Sequence, residues 1–157
     1  MAKVFISYSH RRADDAQRLV QRLESIGYNV FIDAKIIAGE DYERRILVEL
    51  ESAHAVVALW DNQTVDSQPV LDECRRANKL DKLIPVILEP ISLEKLPFQL
   101  SSIQYIEAFE ESDLETGNSF NALILGRMQN LWKNGRPFGQ RELSLEDRVH
   151  LRCFCGL

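Results

Sequence analysis

The sequence has no apolar run approaching the roughly 20 residues a helix needs to cross a bilayer, so no membrane association is expected. Met1-Ala2-Lys3 leads directly into strand-like residues, and a secretory leader is not expected. Cysteine is scarce, with three in 157 residues. Cys74 falls in a helical pattern, while Cys153 and Cys155 lie near the end of the chain. An odd count offers no disulfide framework, and one close pair lacks the second pair a zinc site needs, so no metal is expected. Together these absences point to the cytoplasm, where the sequon Asn62-Gln63-Thr64 carries no meaning. An excess of positive charge is also missing: 24 acidic residues interleave 19 basic ones, for a net charge of −5. Without a basic stripe, nucleic-acid binding is not expected. A local cluster, Arg11-Arg12 beside Lys3, suits at most a phosphate on a small ligand.

What the chain does have is the balance of one globular core, 45% hydrophobic and 27% charged. Val4 to Tyr8 is a short apolar run of β-formers and reads as a buried strand. Ala13, Ala16, Leu19, Val20, Leu23 and Ile26 then recur at helical spacing, with Gly27 where a C-terminal cap belongs. Val30 to Ile32 is a second strand. After a loop over residues 33–40 comes a helix expected to bury Tyr42, Ile46, Leu47 and Leu50 and to expose Glu43, Arg44, Arg45 and Glu49. Ala55 to Trp60 is a third strand. Ser67 and Pro69 mark the start of a helix that buries Val70, Leu71, Cys74 and Ala77.

Leu83 to Leu88 is the fourth strand, and its Pro85 suggests a place near an edge or a strand start. A weak fifth strand is expected at Gln104-Tyr105-Ile106, and a last helix carries Phe120, Leu123, Ile124, Met128 and Leu131. Continuous apolar strands alternating with helices imply an α/β fold, a flavodoxin-like doubly wound parallel sheet of about five strands with helices on both faces. Ligands of such sheets sit beyond the C-terminal strand ends, here the loops after Tyr8, Ile32 and Trp60. The expected domain spans residues 1–133. Residues 134–157 read as a linker, Gly135 to Gly139, and a short helix with a capping-box start at Ser144 to Asp147. That tail is expected to pack back on the domain or to begin a second one.

Five segments, in order and at matching spacing from Lys3 to about Trp132, resemble one family. Val4-Phe5-Ile6-Ser7-Tyr8-Ser9 is similar to the first strand of TIR (Toll/interleukin-1 receptor/resistance) domains, and Gly27 to Asp33 to their second. Ile37, Gly39 and Tyr42 match the following loop and helix, and Ile84-Pro85-Val86 the fourth strand. Ser67 to Glu73 resembles the helix that carries the catalytic glutamate in bacterial NAD-hydrolysing members. The chain departs from them at Pro69, where enzymatic members usually place tryptophan or tyrosine. Two arginines that follow the first strand in some members are replaced by Ser9 and His10, with Arg11 and Arg12 next.

The resemblance implies cleavage of the nicotinamide–ribose bond of NAD as a substrate, with no cofactor, and self-assembly through the loop containing Lys35, Ile36, Ile37 and Gly39. It also implies other TIR domains as partners and an attached sensor domain, in immune or stress signalling. Glu73 is the expected catalytic residue. Nicotinamide in NAD is already a cationic leaving group, so one carboxylate that stabilises an oxocarbenium-like transition state suffices in principle. Tyr8, Ser9, His10, Arg11, Asp33, Trp60 and Ser67 are expected around the substrate. Each has a plainer role beside that one: strand-end packing for Tyr8 and Ser9, loop orientation for Asp33, core for Trp60, and a helix cap for Ser67, which has no histidine base beside it. A second function class stays open, a non-catalytic scaffold for homotypic TIR contacts, and Pro69 favours it. A phospho-accepting receiver shares the fold but needs an acidic cluster where this chain has Ser9-His10-Arg11.

Overall fold

The computed structural model describes residues 3–33, 39, 41–96, 105–109 and 126. Five parallel strands form one sheet in the order β2-β1-β3-β4-β5. They are β1 (Lys3–Ser7), β2 (Asn29–Phe31), β3 (Ala55–Trp60), β4 (Leu83–Ile87) and β5 (Ile106–Glu107), with helices α1 (Ala13–Ser25), α2 (Tyr42–Ser52) and α3 (Gln68–Lys79) between them. This is the flavodoxin-like doubly wound order, with its switch point between β1 and β3.

Strand periodicity divides the core in two. Val4, Ile6, Val30, Val57, Leu59, Ile84 and Val86 pack with α1 through Ala16, Leu19, Val20 and Leu23. Their neighbours Phe5, Phe31, Val56, Ala58 and Trp60 point to the opposite face, against Leu50 of α2 and Val70, Leu71, Cys74 and Ala77 of α3. Burial on both faces is why β1, β3 and β4 read as unbroken apolar runs.

Helices α1 and α3 both end in Schellman turns. Gly27, at φ +98°, lets the Tyr28 amide reach the Leu23 carbonyl at 3.0 Å. Asp81, at φ 54°, plays the same part for Lys82 and Ala77 at 3.1 Å, although it is not glycine. Helix α2 opens on Asp41, whose carboxylate accepts the Arg44 amide at 3.2 Å.

Three expectations are corrected. On α2, Tyr42 and Leu47 are exposed, whereas Glu49 is 6% exposed. Glu49 is buried because it pairs with Lys3 of β1 and, at 2.9 Å, with Arg45. Ala13 is exposed as well. The place near an edge expected from Pro85 is what is found: β4 neighbours the edge strand β5, and its proline sits where the ladder is incomplete. The Leu88 amide bonds to Trp60 of β3 at 2.8 Å, so by alternation Pro85 turns its missing N–H toward β5, whose pairing starts only at Val86. β5 itself begins at Ile106, later than expected. The last predicted helix lies outside the described residues apart from Gly126, which is helical and buried. The tail over 134–157 lies outside them too. Among the described residues no helix is long and apolar enough to cross a membrane.

Candidate functional site

At the C-terminal end of β1 the sequence changes from apolar to hydroxyl-bearing side chains, Ser7, Tyr8 and Ser9. There the chain borders a cleft of about 630 Å³, with an apolar floor including Phe5, Ile6, Ile46 and Val70. Its polar walls come from Ser7, Tyr8, Ser9 and His10 after β1, Asp33 after β2, Tyr42 and Glu43 of α2, and Ser67 and Glu73 of α3. The parallel topology brings these four segments to one sheet edge.

Glu73 lies one turn inside α3, where helical spacing from Val70 and Cys74 turns it toward β1. The Ser7 hydroxyl donates to its Oε2. Burial is the main reason its pKa rises from 4.5 to about 7; the Ser7 bond offsets this in part, and the charges of Asp33 and Asp72 add to it. A carboxyl poised near neutrality in a cleft is a common mark of a reactive group.

Asp33 accepts hydrogen bonds from two phenols, Tyr8 at Oδ1 and Tyr42 at Oδ2, the second at 3.3 Å. Burial first, and then Asp33, raise the pKa of both tyrosines, so they stay protonated donors. Ser67 occupies the N-cap position of α3 without a side-chain cap bond, and its carbonyl accepts the Leu71 amide at 2.9 Å.

Two expected site residues are elsewhere. Trp60 is 1% exposed and packs in the apolar cluster with Cys74 and Ala77, so its ring is not free to stack on a substrate. Arg11 does not line the cleft; its Nε lies 3.9 Å from Asp61. Lys35, Ile36 and Ile37 of the expected assembly loop lie outside the described residues. Gly39 is exposed, at φ +96°, in the left-handed region that suits glycine.

Sequence reasoning did not place Ser7 or Tyr42 in the site, and it gave Arg12 only a phosphate to meet. Ser7 hides as the last residue of an apolar strand, and only its being polar and 2% exposed marks it. Arg12 gives Nε to Asp61 at 2.7 Å and Nη2 to Glu89 at 2.9 Å. Asp61 also accepts Thr64 Oγ1 and the Thr64 and Gln63 amides, at 2.8, 2.8 and 2.9 Å. Burial opposes its charge, but these bonds hold its pKa at about 2. The network ties the ends of β3 and β4 to the turn after β1. Among the described residues no group of three His, Cys, Asp or Glu is placed to hold a metal.

A family model described as TIR domain matches residues 4–124. The chain belongs to the TIR domain family. Among solved structures, the TIR domain of a Toll-related receptor from Hydra magnipapillata is similar with a TM-score of 0.67 and 16% identity, over 81% of this chain and 98% of that one. A metazoan TIR-STING receptor from C. gigas, solved with 2′,3′-cGAMP, gives 0.60 at 18% identity, over 73% of this TIR domain and 38% of the receptor. A 2-deoxyribosyltransferase from Bacillus psychrosaccharolyticus gives 0.52 at 16%, over 73% and 91%. The TIR domains of the activated Roq1 resistosome give 0.53 at 14%, over 99% and 98%. At these identities the solved structures support the fold. No curated protein sequence matches the chain.

Proposed function

We propose that this TIR domain is an NAD glycohydrolase that uses Glu73 to cleave the nicotinamide–ribose bond. The observation that carries the reading is the Glu73 carboxyl itself, half-buried in a cleft at the strand ends, held by Ser7 and pushed up to about 7. In its ionised form it stabilises the positive charge that develops on the ribose as the C1′–N bond breaks. Nicotinamide leaves as a neutral molecule without needing an acid. Water then bonds to C1′ and gives up a proton, yielding ADP-ribose; capture by another nucleophile of the substrate gives a cyclic product instead. The hydroxyls of Ser9 and Ser67 are donors suited to the ribose, the phenol oxygens of Tyr8 and Tyr42, whose protons go to Asp33, can accept from it, and His10 suits a phosphate. The related fold of a 2-deoxyribosyltransferase is a precedent for glycosyl chemistry on this scaffold, not for particular residues.

Activation by self-assembly belongs to the same reading and extends what the Roq1 resistosome does to this chain. In that form the protein works in the cytoplasm, in defence or stress signalling, under an attached sensor domain. The competing reading, a scaffold that binds other TIR domains without chemistry, is favoured by exposed Pro69 at the cleft where enzymatic members carry an aromatic ring. Free nicotinamide, measured as protein concentration and a crowding agent are raised, separates the two. An enzyme gains activity per molecule on assembly; a scaffold assembles and releases none.

A further inference from the structure

β1 alternates its side chains between the two faces of the sheet, which puts Ser7 on the same face as Phe5, the one that α3 covers. There Ser7 lies in register with Ala58 of β3. The residues that build this face, Phe5, Ala58, Val70 and Cys74 among them, are apolar and buried. A hydroxyl that is 2% exposed in such surroundings needs a partner. It finds one on α3, 66 positions along the chain, where it donates to Oε2 of Glu73. The other oxygen of Glu73 is left differently. Oε1 has no bond to a described residue, yet the buried side-chain polar atoms without a partner among those residues are Ser9 Oγ and Trp60 Nε1 alone. Oε1 is therefore open to the cleft that Glu73 lines.

We infer that Ser7 is a positioning residue for Glu73: by holding Oε2 it fixes which oxygen the carboxyl turns to the cleft, so that Oε1 is the atom that meets the ribose. This rests on the reading of Glu73 as the working carboxylate. A glutamate side chain turns about several bonds, and its charge helps a breaking C1′–N bond only when it is aimed at it. Burial of Val70 and Cys74 sets which side of α3 faces the sheet, and the Ser7 bond sets the torsions that remain. The same bond favours the ionised carboxyl, against the desolvation that pushes the group up to about 7. No other ionisable group holds Glu73 in this way. Asp33 and Asp72 oppose its charge, and Tyr42 and Cys74 feel that charge, without a hydrogen bond to it. Tyr8, His10 and Glu43 complete the ionisable lining among the described residues.

The test is an NMR study of Glu73 on the full chain carrying carbon-labelled glutamate, as parent, Ser7→Ala and Ser7→Thr. Ser7→Ala suits the apolar face but loses the donor, and it raises the Glu73 midpoint by about one pH unit. Vicinal couplings along the Glu73 side chain report one rotamer in the parent and an average of several in Ser7→Ala. Ser7→Thr keeps the hydroxyl on a side chain suited to a strand and restores both readings. Where NAD is cleaved, the acidic limb of the pH–rate profile moves up in Ser7→Ala. Above that limb kcat falls about tenfold or more, with KM near the parent's value. A midpoint or a set of couplings that stays put in Ser7→Ala overturns the inference, as does a Ser7→Thr variant that titrates like Ser7→Ala. A lowered melting temperature with an unchanged titration overturns it too, and makes Ser7 a packing residue. Because titration and couplings need no turnover, absence of nicotinamide release counts against the NAD reading alone.

Discussion

Replacing Glu73 by glutamine is expected to make the protein more stable and less active at the same time, and the stability gain is expected to depend on pH. Glu73 titrates near 4.5 when unfolded and near 7 in the fold, because burial and the charges of Asp33 and Asp72 penalise its carboxylate. The folded state therefore binds the proton more tightly than the unfolded chain. Below about pH 4.5 both states are protonated and the charge costs nothing. Between about 4.5 and about 7 the unfolded chain ionises while the fold keeps its proton, so stability falls across that window and the loss is complete once pH has risen through about 7. A displacement from 4.5 to about 7 corresponds to roughly 3 kcal/mol when fully developed, an upper figure because water and side-chain relaxation reduce it.

Glutamine keeps the shape, can accept the Ser7 hydroxyl, and never ionises. For a chain of this size 1 kcal/mol moves the midpoint of melting by roughly 2–4 °C, so the variant should melt several degrees above the parent near pH 8.5 and at the same temperature near pH 4.5. The assay is paired thermal and urea denaturation across that range, beside nicotinamide release at each pH. Loss of the electrostatic contact should reduce turnover about 10²–10³-fold. Parallel stability curves for parent and variant would refute the raised carboxyl. A variant that releases nicotinamide as fast as the parent would refute its catalytic role.

Adjacent arginines should behave differently: Arg12→Met strands fully buried Asp61 and is expected to cost about 3–5 kcal/mol in urea denaturation, whereas Arg11→Met stays within about 0.5 kcal/mol. The stability held by ionised Asp61 is present above its ordinary 3.8 and is lost as pH falls through about 2, so the two variants should converge in acid. Lys82 is 1% exposed and its ammonium bonds the Leu50, Glu51 and Ala53 carbonyls at 2.7, 2.9 and 3.0 Å, closing the end of α2. Lys82→Met keeps the stem but leaves those carbonyls short of a donor, and a loss of about 2–4 kcal/mol is expected by chemical denaturation. Truncation after Lys133 should leave the thermal midpoint nearly unchanged; loss of cooperative melting would make the tail part of the domain.

The sequence by itself determined the architecture, because a strand buried on both faces must be apolar throughout and a covering helix must repeat at 3.6 residues. Val4 to Tyr8, Ala55 to Trp60 and the α1 stripe leave little choice, and right-handed crossovers order the sheet. Gly27 was legible as a cap because few residues take a positive φ so readily. Glu73, Tyr8, Ser9, His10, Asp33 and Ser67 were also legible as neighbours, since they follow strand ends or open a helix at one sheet edge.

What only the tertiary structure decided was which polar group meets which. Glu49 is inside α2's packed side, rather than Leu47, because Lys3 lies 46 positions away in the chain yet beside it in the fold. Arg12, not Arg11, holds Asp61, and Trp60 faces α3 rather than the cleft. Ser7 and Asp33 acquire their importance from Glu73 and the tyrosines, which reach them from other elements. Apolar burial has a period that one segment can show alone; a hydrogen bond or an ion pair needs its partner, and the partner arrives only when the chain has folded.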